Sequence, residues 1–338
     1  MKFGIYVVAI SWLLSRVFAV NIQQSTVEID QGVKAIENLT IHKIVYYSII
    51  NSPQVTVLHS FKNAGTFYVT STNGFEASVV IKGDHFQNSG LVVFNSFLVN
   101  ESIHGVDVEN DFANTGAMLF GVSGFNPYSS VTFVLSDGSW VNTGMISFLK
   151  LSEYPTRLYI GRSQRLKGGL SITNEGTICF YSQIWASYTR IKGHGCITVG
   201  SKSKLEIYFP DYRISPTQTI NLESSDSLLQ VYGMSSSLDI APTIKVSGLG
   251  EGNSIEVDIP YLTMNAKEYS TRRGELSVEI KSKPRVYFRV GRGYRLVDFQ
   301  IRPSAFGTRI TVHKPAPRKP PRICKCATKI PVVPTYLP

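Results

Sequence analysis

The chain has 338 residues, of which 43% are hydrophobic and 11% aromatic, while 17% carry a charge. A charged fraction this low, with abundant Tyr, Phe, Val, Ile and Thr, excludes a coiled coil, a helical bundle and a disordered chain, and it favours an all-β protein. The formal net charge of +10 is uneven, because residues 267–338 hold 17 of the 34 Lys and Arg residues but 4 of the 24 acids.

The first 19 residues have the order of segments of a secretory signal peptide. Lys2 precedes an apolar run over residues 3–14, and the small-x-small pattern ends at Ala19, after which we predict cleavage. The alternative is a buried N-terminal strand or helix. No later apolar run is long enough to form a transmembrane helix, so the protein is expected to be secreted, extracellular or in a cell wall. That location argues against nucleic acid as the partner of this basic chain.

Two sequons and four cysteines agree with export. Asn38 and Asn100 each begin an N-glycosylation pattern, which also occurs often by chance. An even number of cysteines in an oxidising compartment predicts two disulfides among Cys179, Cys196, Cys324 and Cys326. A bond between the last two is disfavoured because extended residues two positions apart lie near the upper limit of the disulfide Cα separation. Each is therefore expected to pair with Cys179 or Cys196, since the spacing is not that of a zinc site.

An internal repeat organises residues 61–176. Its pattern is apolar-x-Asn-x-Gly, its glycines are 25, 26, 28 and 32 residues apart, and each copy precedes a strand-like stretch. The five corners are Asn63 and Gly65, Asn88 and Gly90, Asn114 and Gly116, Asn142 and Gly144, and Asn174 and Gly176. A repeat of this period predicts a β-solenoid, which we place at residues 20–240 as a right-handed β-helix. A β-sandwich with similar turns is the alternative.

The composition of the repeat predicts how its coils stack. Asn and Gly both tolerate a positive φ angle and so suit a tight corner, and Asn side chains can hydrogen-bond the backbone of the next coil. The aromatic residue two positions before each Asn is expected to stack inside the solenoid on its copies, which are Phe61, Phe86, Phe112 and Trp140.

Residues 241–338 depart from the repeat. Strand-length apolar segments separated by Gly-, Pro- and Arg-rich turns predict a small β-sheet or β-sandwich module over residues 241–313. We expect this module to pack on the last coil and protect the open end of the solenoid. Residues 314–338 are rich in Pro and contain two cysteines, and we expect them to form an extended linker.

The order of these motifs resembles the N-terminal domain of the hyphally regulated cell wall proteins of yeasts. The resemblance rests on the signal sequence, the repeated corners, the segments around Cys179 and Cys196, the glycine-rich stretches 246–253 and 290–294, and the proline-rich end closed by two cysteines. It implies a β-helical, adhesin-like head without a cofactor, which acts in adhesion, biofilm formation or host contact. Its partners would be glycans or proteins of the cell wall or of a host surface.

Members of that family usually continue into a Ser/Thr-rich stalk that ends in a GPI signal. Residues 330–338 are too short and too rich in Pro for the hydrophobic tail of such a signal. The resemblance therefore predicts either a short secreted member or the head of a longer protein.

An enzyme is the main alternative in function, since β-helices also include polysaccharide-cleaving enzymes. Asp107, Glu109 and Asp111 alternate along one predicted strand, as an acid–base pair or a Ca²⁺ site would require, although a solvated acidic strand has the same pattern. No other catalytic or metal-binding motif is present in the sequence. We therefore expect a non-enzymatic protein, with a purely structural wall component as a third possibility.

The basic C-terminal part supplies the candidate ligand contacts. They are interleaved with Tyr and Phe and comprise Arg285, Arg289, Arg292 and Arg295. Guanidinium groups beside aromatic rings suit phosphate, sulfate or carboxylate groups on glycans. The alternatives are a set of solvated charges here and a second basic cluster at residues 157–167.

Overall fold

The structure is a computed structural model that describes residues 15–29, 32–126, 128–161, 171–234, 241–261, 264–280 and 283–335. These residues form an all-β solenoid of about nine turns, as the repeat predicts. Residues 1–14 of the predicted signal peptide lie outside the described residues, as do positions 162–167 of the second basic cluster.

The elements are given in chain order. The first coils contain β1 (Ser15–Ile22), β2 (Thr26–Ile29), β3 (Lys34–Ile41), β4 (Tyr46–Ile50), β5 (Gln54–Asn63), β6 (Thr66–Thr70), β7 (Ala77–Asn88), β8 (Leu91–Ser96), β9 (Ser102–Asn114) and β10 (Ala117–Val122). The middle coils contain β11 (Ser130–Ser136), β12 (Ser139–Asn142), β13 (Met145–Lys150), β14 (Thr156–Gly161), β15 (Ser171–Asn174), β16 (Thr177–Tyr181), β17 (Gln183–Ser187), β18 (Arg190–Lys192) and β19 (Cys196–Val199). The last part contains β20 (Lys204–Tyr208), β21 (Thr219–Leu222), β22 (Leu228–Tyr232), β23 (Thr243–Ser247), β24 (Ser254–Val257), β25 (Met264–Ser270), β26 (Glu275–Ile280), β27 (Lys283–Arg289), β28 (Gln300–Pro303) and β29 (Thr308–Thr311), with 3₁₀ turns at Leu296–Asp298 and Arg322–Cys324.

Successive strands alternate between two sheets with parallel pairing. Sheet 1 runs β1-β3-β5-β7-β9-β11-β14-β17-β20-β22-β24, and sheet 2 runs β2-β4-β6-β8-β10-β13-β16-β19-β21-β23. The long strands β5, β7 and β9 are replaced in later coils by two shorter strands each, of which β12, β15 and β18 are the second. Every predicted corner joins the end of a sheet 1 strand to the start of a sheet 2 strand.

The aromatic ladder is present as predicted. Phe61, Phe86, Phe112 and Trp140 are all buried, and their ring centroids are 4.9, 5.0 and 4.7 Å apart along the column. A second column in sheet 2 brings Phe120 and Phe148 to 4.9 Å. Parallel pairing causes this stacking, because it makes Phe61 the register partner of Phe86, and Phe86 that of Phe112, so that each ring lies over the last.

The corner glycines are needed for a different reason from the one predicted. None of the five has a positive φ angle. Instead, the coils approach so closely that a Cβ atom on Gly116 would lie 2.0 Å from the carbonyl oxygen of Gly90, and one on Gly144 would lie 1.9 Å from that of Gly116. The predicted positive φ at these corners is therefore wrong, and the glycines are required by coil-to-coil contact.

The architecture changes later than the predicted boundary at residue 240. Strands β23 and β24 pair in parallel with β21 and β22 and so continue the solenoid. Sheet 1 then continues with antiparallel β29 and β28 after β24. In sheet 2, β27 still pairs in parallel with β23, and β26 and β25 follow it in antiparallel pairing. The apolar pattern of residues 241–313 did predict strands, but they belong to the two existing sheets.

The proline-rich tail is fixed to the outer face of sheet 2. Two disulfides join Cys179 to Cys326 and Cys196 to Cys324, the tail-to-coil arrangement that we expected. Beyond them the tail runs back toward earlier coils, where Val333 packs with Val93 and Leu119. Residues 322–333 therefore form a strap along the solenoid, and the description as an extended linker does not hold for this segment. The last three residues of the predicted linker, 336–338, lie outside the described residues.

Candidate functional site

A basic cleft lies where the last coils, the turn after β27 and the tail meet. Its volume is about 650 Å³. Its cations are Lys245, Arg273, Arg289, Arg292, Arg318 and Lys319. None of the described residues that line the cleft is acidic. Six cations in one cleft suit an anionic ligand.

Strand register explains the first wall of the cleft. Cys196, Thr219, Lys245 and Arg289 occupy the same position on four neighbouring strands of sheet 2, and this position faces outward. The strap covers the column at Cys196 through the bond to Cys324. Lys245 and Arg289 lie beyond the strap, and their side chains are exposed.

The other walls come from a turn and from the tail. Gly291 and Gly293 have φ angles of +93° and +109°, so they allow the sharp turn that presents Arg292. Tyr294 anchors this turn, because its buried hydroxyl donates a 2.6 Å hydrogen bond to the Leu249 carbonyl, and burial raises its pKa. The Cys196–Cys324 bond fixes the tail, which brings exposed Arg318 to the cleft.

The cations of the cleft are unequally neutralised. Arg273 and Arg289 share the buried carboxylate of Glu275, each with its Nε 3.4 Å from a carboxylate oxygen. Within the described parts of the chain, no ion pair is formed by Lys245, Arg292, Arg318 or Lys319. Those four side chains are available for a ligand.

The structure places two of the four predicted contact residues in the cleft. Arg289 and Arg292 line the cleft, whereas Arg285 lies in β27 and its side chain is outside the described residues. Arg295 binds Asp298 instead, since its backbone N–H donates at 2.8 Å and its guanidinium lies at 3.3 Å. The backbone N–H of Arg295, aided by Lys314, lowers the pKa of Asp298 to about 2. Arg295 is therefore part of a local capping interaction.

Sequence reasoning missed the other half of the cleft. Lys245 lies 40 residues before Arg285, the first of the predicted contacts, and Arg318 and Lys319 lie in the segment whose composition predicts a linker. The alternation of polar and apolar residues over 243–247 indicates that Lys245 faces outward. Nothing local in the sequence places the tail beside it.

One carboxylate of the enzyme alternative, that of Asp111, has structural partners. Asp111 lies 3.1 Å from His85 Nδ1 and accepts a 2.7 Å hydrogen bond from the Ser139 hydroxyl. Glu109 is exposed on the same strand. The described residues contain no group of three or more His, Cys, Asp or Glu that could hold a metal ion. They also contain no helix that is long and apolar enough to cross a bilayer.

Comparison with known proteins decides the family. The family model for the hyphally regulated cell wall protein N-terminal domain matches residues 10–334. The chain belongs to this family. Cell wall protein IFF9 of Candida albicans is 29% identical over 309 residues, covering 87% of this chain and 31% of the relative. Hyphally regulated cell wall protein 3 of the same organism is 28% identical over 343 residues, covering 96% of this chain and 26% of the relative.

Family membership agrees with the resemblance seen in the motifs and supports a cell-wall or extracellular location. The two relatives above and a third, cell wall protein RBR3 of the same organism, are all named as cell wall proteins. The chain spans a third or less of the length of these relatives.

Proposed function

We propose that this chain is a non-enzymatic adhesive head that binds anionic glycans through its basic cleft. The observation that carries the proposal is the group of four cations, Lys245, Arg292, Arg318 and Lys319, that line one cleft without an ion pair among the described residues. Cell-wall location makes a surface glycan the natural ligand class.

The chemistry of the cleft favours phosphate, sulfate or carboxylate groups. Arginine offers a planar fork of N–H donors that matches two oxygens of such a group, while lysine adds a point charge. The exposed side chains retain water, so each contact is weak, and binding depends on several contacts at once. Such binding should weaken as salt rises, because exposed charges are screened beyond about 8 Å at physiological ionic strength.

Retention on a sulfated-glycan column tests this proposal. The cleft variant carries Lys245→Ser, Arg292→Ser and Arg318→Ser. The control variant carries Lys43→Ser, Lys62→Ser and Lys82→Ser, which removes the same charge from exposed positions in the first coils. We expect the wild type and the control to elute late and the cleft variant to elute early.

Equal retention of the two variants would mean that net charge alone holds the protein, and it would contradict a cleft-specific site. Retention of the wild type that is indifferent to salt would also contradict it. Failure of the wild type to bind would leave a structural role in the wall as the better account.

A further inference from the structure

One exposed column on the solenoid combines a sequon with aromatic rings. Ala77, Ser102 and Ser130 are register partners at the starts of β7, β9 and β11. Phe75, Asn100 and Tyr128 each lie two residues before one of these partners. They therefore precede paired strand starts in three successive turns, with Asn100 in the middle.

The aromatic residues of this column have little contact with the protein. Phe75 is 72% exposed and Tyr128 is 88% exposed. With Phe125, which is 74% exposed, they have the most exposed aromatic rings among the described residues. Asn100 is also exposed.

A cleft of about 760 Å³ lies between Asn100 and Phe75. Its polar lining includes Asn51, Asn73, Glu76 and Glu101. The volume falls within the range of sites for small ligands, and amides, carboxylates and one aromatic face form the mixture that hydroxyl-rich rings require.

We propose that Asn100 carries an N-glycan whose first sugars lie in this cleft against Phe75 and extend to the exposed ring of Tyr128 in the next turn. The transfer joins Asn100 Nδ2 to the anomeric carbon of an oligosaccharide supplied on a lipid diphosphate, which departs as the amide loses a proton. The proposal does not depend on the basic cleft, which lies at the C-terminal end of the solenoid.

The physical reason for contact between the glycan and Phe75 or Tyr128 is the charge distribution of sugar and aromatic rings. A sugar ring has a face of C–H groups with a slight positive charge, and the face of an aromatic ring is negative. Contact with the glycan would also remove apolar surface of Phe75 and Tyr128 from water. The folded protein would then be stabilised by its own glycan.

The second sequon provides an internal comparison. Asn38 is also exposed, but its register partners on the adjacent strands are Ala19 and Ser60. A glycan at Asn38 would therefore have no aromatic ring above or below it at that position. Its removal should leave the melting temperature unchanged.

The test uses the full chain secreted from a eukaryotic host. Peptide mapping after enzymatic deglycosylation should show Asn100 converted to Asp. Deglycosylation should lower the melting temperature of an Asn38→Gln protein by about 2 °C or more. It should change little for the same protein with Phe75→Ala and Tyr128→Ala, while Phe125→Ala, another exposed aromatic change, should keep the full loss.

A second readout is the rate at which an endoglycosidase releases the glycan from folded protein. Release from Asn100 should be faster in the Phe75→Ala and Tyr128→Ala protein than in the wild type. An unmodified Asn100, an equal loss of melting temperature with and without the two rings, or no loss in the Asn38→Gln protein would overturn the proposal.

Discussion

The side-chain amide of Asn88 donates a 2.8 Å hydrogen bond to Oδ1 of Asn114. The same bond recurs at 2.8 Å from Asn63 to Asn88, from Asn114 to Asn142 and from Asn142 to Asn174. Asn174 then donates at 3.1 Å to Gln218, which ends the series. This buried amide ladder joins successive coils along the solenoid.

Removing a central amide of the ladder should lower the free energy of unfolding. In Asn114→Ala, the buried Oδ1 of Asn142 loses its donor, and the Nδ2 of Asn88 loses one of its acceptors but keeps the backbone carbonyl of Ala117. A buried acceptor without a donor costs about 1–3 kcal/mol, so the free energy of unfolding should fall by about that amount. Denaturant unfolding measures the loss.

Asn95→Ala is the matched control, because Asn95 is partly exposed and accepts a local hydrogen bond from the N–H of Phe97. An equal effect of the two changes would contradict a special role for the ladder.

A side chain at a corner glycine should collide with the neighbouring coil and destabilise the protein. A methyl group at Gly116 would lie 2.0 Å from the Gly90 carbonyl oxygen, so Gly116→Ala must separate two coils. We expect a loss of about 1–3 kcal/mol or more of unfolding free energy, or failure to be secreted. Gly32→Ala is the control, since no atom lies within 4 Å of its added methyl group, and it should be neutral.

The disulfides should hold the strap in place. Each closes a loop of more than a hundred residues, with separations of 147 and 128, which corresponds to about 4–5 kcal/mol in a chain-entropy description. With Cys179→Ser and Cys326→Ser, the far part of the strap should detach more often from Val93 and Leu119. Trypsin should then cut at Lys329 faster than in the wild type, and an unchanged rate would count against a disulfide-held strap.

Acid should destabilise the protein through His104. This side chain is fully buried, its Nε2 lies 2.9 Å from the Ser96 hydroxyl, and burial lowers its pKa to about 3. Between that value and the ordinary pKa of about 6.5, the unfolded chain binds a proton that the folded chain does not. Stability from this source is complete above pH 6.5 and falls by up to about 1.4 kcal/mol per pH unit below it.

His104→Gln cannot titrate but can still bond Ser96, so it provides the comparison. Its unfolding free energy should fall less between pH 7 and pH 4.5 than that of the wild type. Parallel pH profiles for the two proteins would contradict this role of His104.

Much of the fold was predictable because the repeat is local. Regular spacing of Asn114 and its copies reveals the period, and the period alone indicates a solenoid with an inward aromatic column. The φ angle of the corner glycines was not predictable in this way. The need for glycine comes from a carbonyl oxygen one coil away, about twenty-five residues apart in sequence.

The candidate site was less predictable because it depends on the tail. Arg289 and Arg292 were identified from local composition, but Arg295 has the same composition and binds Asp298. Lys245 and Arg318 meet only because the sheet register and the Cys196–Cys324 bond bring distant segments together. Local patterns carry no information on such long-range contacts.

The central claim is that anionic glycans bind in the basic cleft, and a hydrogen-exchange footprint with a sulfated oligosaccharide tests it most directly. The account predicts slower exchange in the turn at residues 289–294 and in the tail at 317–319, with this protection lost in high salt and in the cleft variant. Protection confined to the first coils, around Lys43 and Lys62, or protection unchanged in the cleft variant, would contradict it.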